Sequence, residues 1–198
     1  MSSLAPLAEA DIDRVRELVS IGAGHAATAL AGLTGRTCEM RVPTVRLLAD
    51  LPTGPGPAGD ADVTGVLFEL EGGTGGVLAL LLPGATRERL LEHLLGPRPQ
   101  GARSGSAAES ALREVGNILA SHAANAVSEM LGEAVLPSVP LLAFEDGPAA
   151  LASLLALRHN TEPALRIESE IFDRDHELCG TLVLVPDKVR RVAPTAGF

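Results

Sequence analysis

An α/β (α+β) sandwich with a pseudo-two-fold axis, in which long helices pack on one mixed or antiparallel sheet built from hairpins, is the fold this sequence predicts. Three observations carry the prediction. Adding 97 to a residue number takes Glu17 onto Glu114, Ser20 onto Asn117 and Pro43 onto Pro140, so the chain is a tandem repeat. That period exceeds the roughly 20–50 residues of a solenoid unit and points instead to two fused halves, at about 8–95 and 106–186, within a single domain over 1–198. Long helix-like runs alternate with paired apolar runs, and the regular βαβ order of a dinucleotide-binding fold is absent.

Asp11 or Asp13 suits the start of a first helix that runs to about Leu33, with Gly35 placed as a C-terminal cap. Thr37 to Leu48 alternates as a strand, and Pro43 inside it requires an edge or a bulge. Leu51 to Asp62 is rich in Gly, Pro and Asp and reads as an exposed loop. Val63 to Leu70 and Gly76 to Leu82 form a hairpin around Glu71-Gly-Gly-Thr-Gly75, and Thr86 to Leu95 an amphipathic helix. Gly96 to Ser106 links the halves. The second copy follows with a helix over Ala107–Leu131, a strand over Ala134–Ala143 and a short helix over Pro148–Leu157. A hairpin closes it, from Leu165–Phe172 and Leu178–Val185 around Asp173-Arg-Asp-His176.

Composition bounds the function. With 46% hydrophobic residues the chain folds as a globular protein. A net charge of -9 and the lack of Trp and Tyr argue against a nucleic-acid partner, which needs clustered cations or stacking platforms. Met1 to Asp13 has no secretory pattern, and no apolar run approaches the roughly 20 residues of a membrane-spanning helix, so a cytoplasmic protein without membrane insertion is expected. Cys38 and Cys179 have no partners at metal-ligand spacing and read as buried free thiols, and no metal of the chain's own is expected.

In the second long helix Leu112, Val115, Leu119, Ala123, Ala126 and Met130 define an apolar stripe. Ser110, Glu114, Asn117, Ser121, Asn125 and Ser128 define a polar one. Three-residue spacing sets Glu114 and Asn117 on one exposed face, one turn apart. The first helix repeats the design with Asp13, Glu17, Ser20, Gly24 and Thr28 outside and Val15, Leu18, Gly22, Ala26 and Leu33 beneath.

With this face the chain resembles the CheC, CheX and FliY family of chemotaxis phosphatases, closest to CheC. The family's pattern is an Asp or Ser, three residues, Glu, two residues, Asn, twenty-two residues, Pro. Ser110, Glu114, Asn117 and Pro140 satisfy it completely, whereas Asp13, Glu17 and Pro43 satisfy it with Ser20 in place of Asn. The resemblance implies a phosphatase of the phosphorylated response regulator CheY, acting on a phosphoaspartate whose Mg2+ belongs to the regulator. Asn117 would then place the attacking water and Glu114 would anchor a Lys of the partner. The first face, Glu17 with Ser20, would be weak or silent, because a hydroxyl lacks the amide's planar donor and acceptor. The resemblance also implies a contact with the receptor deamidase CheD at Asp146, where helix capping is the plainer reading.

His25 and His122 lie five residues past Ser20 and Asn117, about 500° of helical turn, and so fall off the Glu/Asn face. Asp173, Asp175 and His176 read as a solvated hairpin tip rather than a metal site. The alternative to an enzyme is a non-catalytic adaptor that binds the phosphorylated regulator or CheD. A flagellar-switch component is disfavoured, since the chain ends at Phe198 without an added switch domain.

Overall fold

The computed structural model describes residues 9–47, 62–73, 75–96, 105–144, 146–157 and 165–187. The side chains of Asp13, Val15, Leu18 and Met130, most of the expected 51–62 loop and residues 97–104 of the linker lie outside the described set. In chain order the elements are α1 (Glu9–Thr34), β1 (Cys38–Met40), β2 (Thr44–Leu47), β3 (Val63–Glu71), β4 (Gly76–Pro83) and α2 (Gly84–Leu95). There follow α3 (Ser106–Leu131), β5 (Leu136–Pro137), β6 (Leu141–Ala143), α4 (Gly147–Leu157), β7 (Leu165–Asp173) and β8 (Cys179–Val185).

The repeat holds at the level of single residues in the long helices. Both α1 and α3 span 26 residues, and both are followed by a left-handed glycine, Gly35 at φ 67° and Gly132 at φ 65°. A side chain there would be strained, so glycine stops each helix at the same point. The short helices break the symmetry: α2 follows its hairpin, whereas α4 precedes its own.

Every strand pairing described is antiparallel, which resolves the open choice between a mixed and an antiparallel sheet. The order is β1-β7-β8-β4-β3-β5, with β2 also on β7 and β6 also on β3. The pseudo-axis passes between β4 and β8, where Ala79 lies opposite Val183. Each half's short strands pair with the other half's hairpin, so neither half completes its sheet alone.

The sheet is covered on both faces, which explains the nearly unbroken burial of β3 and β4. Val66, Phe68, Leu78, Leu80 and Leu82 pack under α1, α2 and α3 with Leu112, Val115 and Leu119. Val63, Leu67, Val77, Ala79 and Val183 face the other way, onto Leu151, Leu154 and Leu155 of α4. Close helix contact needs small residues. A Cβ on Gly22 would lie 3.1 Å from Ala126 Cβ, where α1 meets α3, and one on Gly116 would lie 2.5 Å from Val66 Cγ1, where α3 sits on β3.

The strands expected over Thr37–Leu48 and Ala134–Ala143 are each interrupted at the proline. Met40 pairs with Ile171 and Thr44 with Glu168, leaving three residues, Arg41–Pro43, opposite two. Pro137 pairs with Leu70 and Leu141 with Leu67, leaving Ser138–Pro140 in the same position. One extra residue on one strand is a β-bulge, and it tolerates a residue with no N–H to give.

Candidate functional site

The second face is seated by α3. Leu112, Val115, Leu119 and Ala123 are buried, and the helical period turns Ser110, Glu114, Asn117 and Asn125 to solvent. Gly116, between the two key residues, draws this stretch of the helix down onto Val66 and Phe68. Ser121 and Ser128 of the expected polar stripe are only half-exposed. Ser128 is instead a structural bridge, its hydroxyl donating to the Ala124 carbonyl at 2.8 Å and accepting from Val135 N–H at 2.8 Å. That bridge directs the chain from α3 into β5.

Pro140 stands in the bulge, half-buried, and its carbonyl accepts a hydrogen bond from the guanidinium of Arg113, the residue before Glu114. Ser138 fixes the other side of the bulge: its N–H donates to Glu69 O at 2.8 Å, and its hydroxyl accepts from Glu69 N–H at 3.0 Å. The fixed interval between Asn and Pro thus has a physical content, since the bulge and the helix are tied one residue from the Glu. Arg113 was not singled out by sequence reasoning. The offset of 97, which pairs it with Arg16 ahead of Glu17, was the available signal.

The first face is built the same way. Glu17, Ser20 and Thr28 are exposed on α1, and Gly24 is half-exposed with open space around it. Thr28 donates to Gly24 O at 2.9 Å. Pro43 is buried in its bulge, pinned by Arg41 N–H to Glu170 O at 3.0 Å and by Ser169 Oγ to Arg41 O at 2.8 Å. The two faces therefore share a scaffold, and differ at the residue that offers an amide or a hydroxyl.

His25 and His122 are both exposed, as is Asp146, whose carbonyl accepts the Ala150 N–H at 3.0 Å and so occupies the cap position of α4. The hairpin between β7 and β8 differs from the expected solvated tip. Asp175 and His176 are exposed, but Asp173 is only 1% exposed. Its Oδ1 accepts from Glu177 N–H at 2.7 Å and Leu178 N–H at 3.0 Å. Its Oδ2 lies 2.7 Å from Arg36 Nε, an ion pair in which the N–H is not aimed for a hydrogen bond. Burial pushes the Asp173 carboxyl up, but the Leu178 and Glu177 N–H groups and the Arg36 charge outweigh it and hold it below its ordinary value. Arg36 also reaches Asp175 at 2.9 Å and Glu177 at 2.8 Å, so the cluster ties the end of α1 to the hairpin.

The thiols of Cys38 and Cys179 are half-buried rather than fully buried. Burial pushes both up, leaving them poor nucleophiles. They flank β7 opposite Asp173 and Phe172, neighbours whose side chains leave opposite faces of the sheet. Among the described residues no group of three or more His, Cys, Asp or Glu could hold a metal ion, and no helix is long and apolar enough to cross a membrane.

With the geometry in place, comparison with known proteins is direct. The profile of the CheC-like family matches residues 13–47 and 108–142, each containing one helix face and one bulge. The chain is 31% identical over 195 residues to the CheY-P phosphatase CheC of Bacillus subtilis, covering 94% of this chain and 93% of that protein. Its fold is similar to that of Thermotoga maritima FliY, with a TM-score of 0.62, 19% identity and 92% of each chain covered. It is also similar to a chain of the CheX-CheY-BeF3-Mg2+ complex of Borrelia burgdorferi, with a TM-score of 0.56, 13% identity, and 86% and 95% covered. At these last two identities the likeness shows the fold alone.

Proposed function

The chain belongs to the CheC-like family, and from that premise we propose that it hydrolyses the aspartyl phosphate of a CheY-type response regulator at the face carried by α3. The observation that carries this reading is the exposure of Glu114 and Asn117 one turn apart on a helix otherwise fixed by its core and by the bulge at Pro140. The B. subtilis relative is named as a CheY-P phosphatase, which supports the substrate class.

Hydrolysis of an acyl phosphate needs a water held in line with the breaking P–O bond. The amide of Asn117 is suited to hold it, because it both donates and accepts hydrogen bonds and stays uncharged. Water oxygen attacks phosphorus, the bond to the regulator's Asp breaks, and the Asp leaves as its carboxylate with inorganic phosphate as the other product. The regulator's own divalent ion neutralises charge on the phosphoryl group. Glu114 anchors the partner by pairing with a cation beside its phosphoryl site, a charge-assisted contact that also fixes register. The first face keeps Glu17 but has Ser20, and it binds without hydrolysing.

The test is decay of aspartyl phosphate on a labelled regulator with wild type and Asn117→Ala. Acceleration by wild type that disappears in the variant supports hydrolysis at α3. No acceleration, with binding intact, favours the second reading, an adaptor for the phosphorylated regulator, which the exposed but amide-free first face recommends. A partner at Asp146 on α4, such as CheD, remains part of this proposal only as a separate surface.

A further inference from the structure

Between Leu112 and Asn117 the helix α3 alternates residues that hold it with residues that face out. Leu112 and Val115 are buried, and Gly116 lets the helix descend until an added Cβ would stand 2.5 Å from Val66 Cγ1 of β3. Arg113 makes a second kind of hold. It is half-buried, and its Nη1 donates to the carbonyl of Pro140, in the bulge between β5 and β6. Each outward residue is therefore preceded by an anchor, Arg113 before Glu114 and Gly116 before Asn117.

The contact that Arg113 makes is not the one its helical neighbours would dictate. It is the only Lys or Arg in α3, and Glu109 lies four residues before it, the spacing at which a carboxylate and a cation meet on a helix. Among the described residues Arg113 pairs with neither Glu109 nor Glu114, and reaches instead a backbone carbonyl 27 residues away. That bulge is itself fixed to β3, where Ser138 N–H donates to Glu69 O at 2.8 Å and Glu69 N–H donates to Ser138 Oγ at 3.0 Å. The guanidinium thus ties the helix to a point secured on the sheet.

Asn117 lies four residues after Arg113. A helical side chain leans back over the turn before its own Cα, so the Asn117 amide stands over the turn that Arg113 holds. An amide that places an attacking water tolerates little displacement, since an error of about 1 Å can cost about 10²-fold in rate. We propose that Arg113 is a positioning residue for hydrolysis, whose bond to the Pro140 carbonyl fixes the height and rotation of the helix turn that presents Asn117. The inference rests on the reading of α3 as the site of hydrolysis. The guanidinium is engaged at Pro140 and acts through Asn117, so its loss falls on the chemical step more than on regulator binding.

The experiment compares wild type, Arg113→Met and Arg113→Lys. Met keeps an apolar stem and a good helix former but removes the donor, whereas Lys keeps a cationic donor for the carbonyl. Phosphate release from the phosphorylated regulator gives kcat, binding of a regulator charged with beryllofluoride and Mg2+ gives affinity, and the urea midpoint reports folding. Arg113→Met is expected to lower kcat about tenfold with affinity within about twofold of wild type, and Arg113→Lys to stay within about threefold of wild type in kcat. A bond that serves stability alone would move the urea midpoint and leave kcat of the folded Arg113→Met protein unchanged, which overturns the proposal while the phosphatase reading stands. A loss of kcat that Arg113→Lys shares in full also overturns it. Affinity that falls in Arg113→Met with kcat retained makes Arg113 a direct contact for the regulator and overturns the positioning role. A wild type that binds the regulator without hydrolysing it removes the phosphatase reading and this inference together.

Discussion

The α1 half and the α3 half show which features the fold requires and which it leaves free. They share helix length, the left-handed glycine after each helix and the bulge at the proline. They differ at Ser20 and Asn117 and at Val19 and Gly116. The end of α1 is held to the β7–β8 hairpin by the Arg36 cluster, and the position matching Arg36 in the second half is Glu133. Scaffold has thus been kept in both copies while the chemistry-bearing groups have diverged, as expected when function resides in a site placed on a fold. Under the proposed function the first half is a structural and binding partner to a catalytic second half.

The largest expected effect separates the halves outright. Asn117→Ala should lower kcat about 10²–10³-fold, the cost of losing one preorganised group in a reacting site, while regulator affinity stays close to wild type. Ser20→Ala should leave kcat within about twofold, since that hydroxyl is assigned no water to place. Equal losses from both substitutions, read by phosphate release, would erase the proposed division of labour. Glu114→Gln comes next. Losing a charge-assisted contact of about 1.5–3 kcal/mol should raise KM roughly tenfold to a hundredfold with a smaller effect on kcat, and raised ionic strength should reduce the difference.

Two stability predictions sharpen the comparison at smaller scale. In Gly116→Ala the new methyl would stand 2.5 Å from Val66 Cγ1 and 3.3 Å from Phe68 Cζ, both buried and unable to swing away. Overpacking should cost about 1–3 kcal/mol, offset in part by the helix preference of Ala, and would lift the Glu114–Asn117 stretch off β3. Gly22→Ala meets Ala126 Cβ at 3.1 Å and should cost less, because the helix pair need give only slightly. Urea midpoints of the two variants test the order. For Asp173 the folded carboxyl is held below the ordinary 3.8. The stability it supplies is therefore complete above the unfolded value near 4 and is lost as pH falls from there toward the folded value. Asp173→Asn should cost about 1–2 kcal/mol at pH 7 and flatten the acid limb of the stability curve below about pH 4.

Much of this was legible in the residues. The 97-residue offset set both long helices and the Glu-x-x-Asn face, and a proline within an alternating run announced an edge or a bulge. Other features were hidden because they depend on contacts distant in sequence. Nothing local told that β1 and β2 would pair with β7 of the other half. Asp173 looked like a turn residue, and its burial depends on Arg36, which no spacing rule connects to it. Arg87, on a helix read as amphipathic, is fully buried because Asp62 and Thr64 receive its guanidinium at 2.7 and 2.9 Å. A buried charge survives through such partners, and a helical wheel does not display them.

The smallest effect bears most directly on why one face differs from the other. Ser20→Asn restores the family's residue on an α1 face that already presents Glu17, beside a bulge built like the one at Pro140. If the scaffold alone positions the amide, the two faces act independently, and the variant's turnover per molecule at saturating regulator should rise by at most about twofold. In the Ser20→Asn, Asn117→Ala double variant the wild-type background is removed, so any activity belongs to the first face. Activity near that of wild type would show that Ser20 is the whole difference between the halves. A much weaker rate would assign part of it to positions other than 20, among them Val19 where the second half has Gly116, because an amide set off the in-line position does little for the chemical step.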